Sequence, residues 1–137
     1  MCLIALAAGT ALPACEGTSG NVQNVLCPDV VADKGLVYPA PGATGIPDAV
    51  RSVIVSGPVG QVTLTPPSGA AIVSTTPTAV PSPIPSPNAT PANTPVTAFA
   101  VPSLAPNTTY TVVAVDTSVT LPCAEALPQT LGTFATQ

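Results

Sequence analysis

Few side chains in this chain can do covalent or acid–base chemistry, and one type is missing altogether. There is no histidine, which removes the usual general base, the usual proton shuttle and the commonest metal ligand. The acids are Glu16, Asp29, Asp33, Asp48, Asp116 and Glu125, and the cations are Lys34 and Arg51. Paired carboxylates would suit glycoside hydrolysis, but the candidates Asp29, Asp33, Asp48, Asp116 and Glu125 have no repeated spacing and each reads as a solvated loop residue. A Ser–Lys arrangement would have to recruit Lys34, from an extended region flanked by Pro and Gly. Asp29 and Asp33 are close in sequence but lack the Gly-rich acidic loop that calcium needs. Cys2, Cys15, Cys27 and Cys123 contain no C-x₂-C pair for zinc, and no phosphate-cradling Gly loop is present. No catalytic residue, cofactor or metal ligand is assigned, and a non-enzyme is expected. The thiols carry the chemistry that is left.

The elements that must position those thiols are set by composition. Hydrophobic residues make up 46% of the 137, so a core can be built, but aromatics are only 3% and Trp is absent. The core must then rest on Val, Leu, Ile and Ala, with Tyr38, Phe99, Tyr110 and Phe134 as its large pieces. Charged residues are 6%, against about 25% in an average domain, so Thr, Ser, Asn, Gln and Pro must face the solvent. With 19 Pro and 10 Gly, short strands joined by turns are favoured over long helices. Two cations cannot neutralise a phosphate backbone, which excludes nucleic acid as a partner. They are equally too few for electrostatic docking on an anionic membrane.

Along the chain, residues 1–14 are small and apolar and read as the h-region of a secretory signal. They are too short for a membrane-spanning helix, which takes about 20 residues. Residues 15–34 form a polar, Gly-containing tether. Strands are expected at Gly35–Tyr38, at Arg51–Ser56 around Val53-Ile54-Val55, and at Gln61–Thr65, where polar and apolar residues alternate strictly. A short returning strand is expected over Ala70–Ser74, after the Pro66-Pro67-Ser68-Gly69 turn. Thr75–Pro95 carries a proline every few residues, which blocks helix and ladder bonding alike. It is expected to be an exposed and largely inert crossover. Strand character resumes at Val96–Val101, at Thr108–Val115 and at Thr130–Thr136. Asn88-Ala-Thr90 and Asn107-Thr-Thr109 fit the N-glycosylation pattern.

Three short motifs, in order, carry a family resemblance. They are Gly42-Ala-Thr-Gly-Ile-Pro47, Leu104-x-Pro106-x-Thr108-x-Tyr110-x-Val112, and the closing Gly132-x-Phe134-x-Thr136. Together they resemble bacterial Ig-like and fibronectin type III-like domains over about residues 36–136. The departures are the missing core Trp and the proline-rich insertion at 75–95. The resemblance implies an all-β, Ig-like β-sandwich of about seven antiparallel strands over residues 35–137. It also implies that Leu104, Pro106 and Tyr110 form a tyrosine corner, with the Tyr110 ring in the core and its hydroxyl on upstream backbone.

Leu12-Pro13-Ala14-Cys15 resembles the lipobox of bacterial lipoproteins, although Pro13 stands where a small or β-branched residue is usual. That resemblance implies acylation of Cys15 after cleavage before it, and attachment to a membrane through lipid alone. The alternative is an ordinary secretion signal with Cys15 unmodified. The lipoprotein resemblance further implies a disulfide between Cys27 and Cys123, since Cys2 then leaves with the signal and lipid takes Cys15. The expected function is that of a non-catalytic exported lipoprotein of the bacterial envelope. It would present one Ig-like domain as a structural, adhesive or protein-binding spacer, its partner an unknown protein or surface polymer. The alternative is a carbohydrate- or surface-polymer-binding module, for which only Tyr38 could offer an aromatic platform.

Overall fold

The computed structural model describes Cys27, residues 32–85 and residues 95–137. The signal at 1–14, Cys15, most of the 15–34 tether and residues 86–94 of the insertion lie outside the described residues, as do Asp29 and Asn88.

The chain folds as an all-β sandwich of the Ig-like class. Its strand segments are β1 (Gly35–Tyr38), β2 (Ala43–Ile46), β3 (Ser52–Ser56), β4 (Gln61–Thr65), β5 (Ile72–Ser74), β6 (Pro77–Thr78), β7 (Val96–Ala100), β8 (Thr109–Val115) and β9 (Gln129–Thr136). One sheet has the order β1-β3-β7-β6 and the other β2-β9-β8-β4-β5. The described helix is a single 3₁₀ turn, Ala124–Ala126. Among the described residues no helix is long and apolar enough to cross a membrane.

Among the described residues nine strand segments appear where about seven strands were expected. The first strand is split. Pro39 cannot donate to the ladder, so β1 stops there after pairing with β3. The chain then crosses to the other sheet, where β2 runs parallel to β9. The other addition is β6, a two-residue pairing of Pro77 and Thr78 with β7. The remaining neighbours are antiparallel.

Alternation along the strands places the core between the sheets. Val62 and Leu64 of β4, Tyr110 and Val112 of β8, and Phe134 of β9 point inward from one sheet. Leu36 of β1, Val53 and Val55 of β3, and Phe99 of β7 meet them from the other. Tyr110 stacks on Phe134, with ring centroids 5.6 Å apart.

The four-stranded sheet is also covered on its outer face. Val37, Ile54 and Ala98 form a second buried cluster there, against which Tyr38, Ile84 and Val96 pack. This is why Val53-Ile54-Val55 is apolar throughout: a strand covered on both faces has no wet side. It also refines two expectations. The described residues of the Thr75–Pro95 insertion are mostly exposed, as expected, but Ile84 among them packs on the sheet as a cover. Tyr38 is half-buried under the same cover and makes no open aromatic platform.

Candidate functional site

The pairing registers define two ends of the sandwich. At one end β1 and β7 begin, β3 and β8 finish, and β9 starts. This is the disulfide pole. Cys123 lies in the loop from Val115 to Gln129 and is bonded to Cys27, with their Cα atoms 5.4 Å apart. Cys123 is 1% exposed. The loop is held locally. Asp116, itself buried, accepts the Ser118 N–H at 2.8 Å and the Ser118 hydroxyl at 2.6 Å. Cys123 N–H reaches the Thr120 carbonyl at 3.1 Å, and Gly60 N–H reaches Val115 at 3.0 Å. The bridge closes a span of 96 residues, for which chain entropy gives roughly 4–5 kcal/mol of stabilisation. Disulfides of this kind persist in oxidising compartments. Lys34 is buried beside this pole, immediately before β1. An open hollow of about 500 Å³ here is lined by Ala32, Asp33, Gly57, Pro58 and Pro95.

The opposite end is the corner pole. The Tyr110 hydroxyl accepts the Ala105 N–H at 2.8 Å, and the Tyr110 ring is 2% exposed. Leu104 is buried, and its N–H bonds the Asp48 carbonyl at 3.1 Å. Pro106 sits exposed at the tip, its carbonyl taking the Thr108 hydroxyl at 2.9 Å. Asn107 adopts φ 51°, the left-handed conformation that Asn tolerates better than most residues.

One residue at this pole has a role that its motif did not disclose. Thr136, 5% exposed, donates its hydroxyl to the Ala105 carbonyl at 2.7 Å and accepts the Thr108 N–H at 2.9 Å. Both backbone groups of Ala105 are thus held by side chains, one from β8 and one from β9. The signal was available: Thr136 shares the core-facing face of β9 with Phe134. Gln137 closes the pole, donating to Ile46 and accepting from Asn107.

Beside the corner lies an open groove of about 590 Å³ between the Pro66–Ala70 turn and the loop before β8. Its polar lining comes from Ser68, Ser103, Asn107, Thr108 and Thr109, and its apolar lining from the prolines and Ile72. Arg51 is tied to Ser103 at 2.9 Å at the margin. The lining itself is neutral, so the groove can hydrogen-bond a neutral polar ligand or an extended peptide but holds no acid–base pair.

The acids stay apart. Asp48 lies near the corner pole, Asp33 and Asp116 near the disulfide pole, and the Glu125 side chain is not among those described. Among the described residues no three His, Cys, Asp or Glu come together as a metal site. No buried side-chain polar atom among them lacks a partner.

Compared with protein-family models, the chain matches none, and a comparison with curated proteins likewise finds no match.

Proposed function

We propose that the chain is an exported bacterial lipoprotein, attached by lipid at Cys15, that presents one Ig-like sandwich as a non-catalytic spacer or protein-binding module. The observation that carries this reading is the separation of the two poles. The N-terminal segment is fastened at one end by the Cys27–Cys123 bridge, and the open groove lies at the other. A chain held from its N-terminal side would therefore turn the groove away from the surface that holds it. The near-absence of charge favours contacts through shape and hydrogen bonds over electrostatic capture.

The test is mass spectrometry of the full chain recovered from bacterial membranes. The expected species carries diacylglyceryl on Cys15 and lacks residues 1–14, and Cys15→Ser moves the protein out of the membrane fraction. Unmodified Cys15 in the soluble fraction would return the reading to plain secretion.

The second reading is a module that binds carbohydrate or another surface polymer. The hydroxyl- and amide-lined groove favours it, while the half-buried Tyr38 leaves it without a stacking ring. Retardation in gels containing cell-wall glycans, lost on Asn107→Ala, would support it over the spacer reading.

A further inference from the structure

We infer that the Cys27–Cys123 bridge makes the domain an inextensible link, which carries tension from its N-terminal side to the far end of β9 without unfolding. The biological setting rests on the proposed anchor at Cys15; the mechanics do not.

Tension follows the shortest covalent path. From Cys27 that path crosses the bridge directly into Cys123, passes along the loop and β9, and leaves at Gln137. Residues 28–122 form a closed ring beside it. They can lose their structure, but doing so adds nothing to the length between the loaded ends.

The part left on the path has little slack. β9 is already extended, and its eight residues span about 26 Å at about 3.3 Å each. The 14 residues from 124 to 137 reach about 50 Å when drawn straight. The gain available to an oxidised molecule is therefore at most about 25 Å. With the bridge open, the ring from 28 to 122 joins the path, which then runs through about 110 residues after Cys27, and the gain rises to about 350 Å.

The strand on the path is also protected by the direction of the pull. β9 is loaded at both of its ends, so the opposing forces balance along the strand and do not drag it past β2 or β8. Its pairings with Tyr110 and with Ala43, both through Phe134, stay in place. The corner and its groove would thus keep their geometry under load.

The experiment is single-molecule stretching of the full chain between handles at its two ends, with Cys2 and Cys15 replaced by Ser so that one bridge alone can form. Residues before Cys27 add the same length in either redox state. Oxidised molecules should show no step longer than about 25 Å up to handle detachment. A thiol reductant added under constant force should release about 350 Å more from the same molecules. Steps beyond about 100 Å in oxidised molecules would overturn the inference. The Cys27→Ser/Cys123→Ser variant should extend without reductant; if it does not fold, release on reduction of the folded oxidised chain remains the readout. An unlipidated Cys15 would remove the proposed anchor and leave this result standing. An extensible oxidised domain would do the reverse.

Discussion

Ala105 offers a sharp test of how the corner is held. Its N–H goes to the Tyr110 hydroxyl and its carbonyl to the Thr136 hydroxyl, which also takes the Thr108 N–H. Tyr110→Phe removes one bond and keeps the ring that stacks on Phe134. Thr136→Val keeps the shape and removes both of the Thr136 bonds, together with a longer contact from the same hydroxyl to the Thr108 carbonyl at 3.2 Å. Losing the partner of a buried or half-buried polar group costs about 1–3 kcal/mol. The expected losses are about 1–2 kcal/mol for Tyr110→Phe and about 2–3 kcal/mol for Thr136→Val. The two sites share one residue, so the losses should not add. Once one bond is gone the loop relaxes, and the second deletion has less left to remove. The double variant should fall short of the sum by about 1 kcal/mol, within the range for neighbours in one network. Urea unfolding followed by far-ultraviolet circular dichroism is the suitable assay, because the chain has no Trp and only two Tyr. Tyr38→Phe is the control and should stay within about 0.5 kcal/mol of the wild type. A neutral Thr136→Val, or strict additivity in the cycle, would refute the reasoning.

Two other substitutions probe the disulfide pole and the outer cover. Gly57 has φ +85°, and an added Cβ would fall inside the Asp33 carbonyl oxygen. Gly57→Ala should cost more than about 2 kcal/mol, from left-handed strain plus a clash with backbone. Gly69→Ala, at φ +101° with open space around it, should cost about 1 kcal/mol; equal losses in urea melts would contradict the close approach. Ile84→Ala should cost about 1–2 kcal/mol, since the side chain is partly buried. It should also raise binding of a hydrophobic dye as Val37, Ile54 and Ala98 are uncovered; an unchanged melt and dye signal would mean that Ile84 is not the cover.

The strands that alternate were legible in the sequence because one of their faces is wet. Gln61–Thr65 and Thr109–Val115 read directly as strands, and their buried positions follow from period two. Val53-Ile54-Val55 was recognisable as a strand from its β-branched run, but the reason for its unbroken hydrophobicity was not. That depends on Ile84, some thirty positions away and set among prolines that hide any period. The split between β1 and β2 was equally hidden, since nothing local says that a chain stopped by Pro39 will resume in the opposite sheet. The Tyr110 hydroxyl could be placed through a motif. Thr136 closes a motif too, but its role was hidden, because a threonine at the end of a strand looks like any solvated hydroxyl until its face is compared with that of Phe134.

The strands at the margins of the two sheets bear on how copies of this molecule would behave when crowded. On one sheet β1 runs into Pro39, and β6 is two residues long and contains Pro77. On the other, β5 has three residues, and β2 has four with a register shift within them. Each margin is short or lacks an N–H to offer, so each makes a poor template for another chain. That matters for a protein with so few charges, because mutual repulsion between copies is weak. Were the chain held in a membrane plane by the proposed anchor at Cys15, its copies would collide far more often than the same number in free solution. For this chain the barrier against fibril growth would lie in proline and strand length, and it would hold unchanged across the salt concentrations that silence charge.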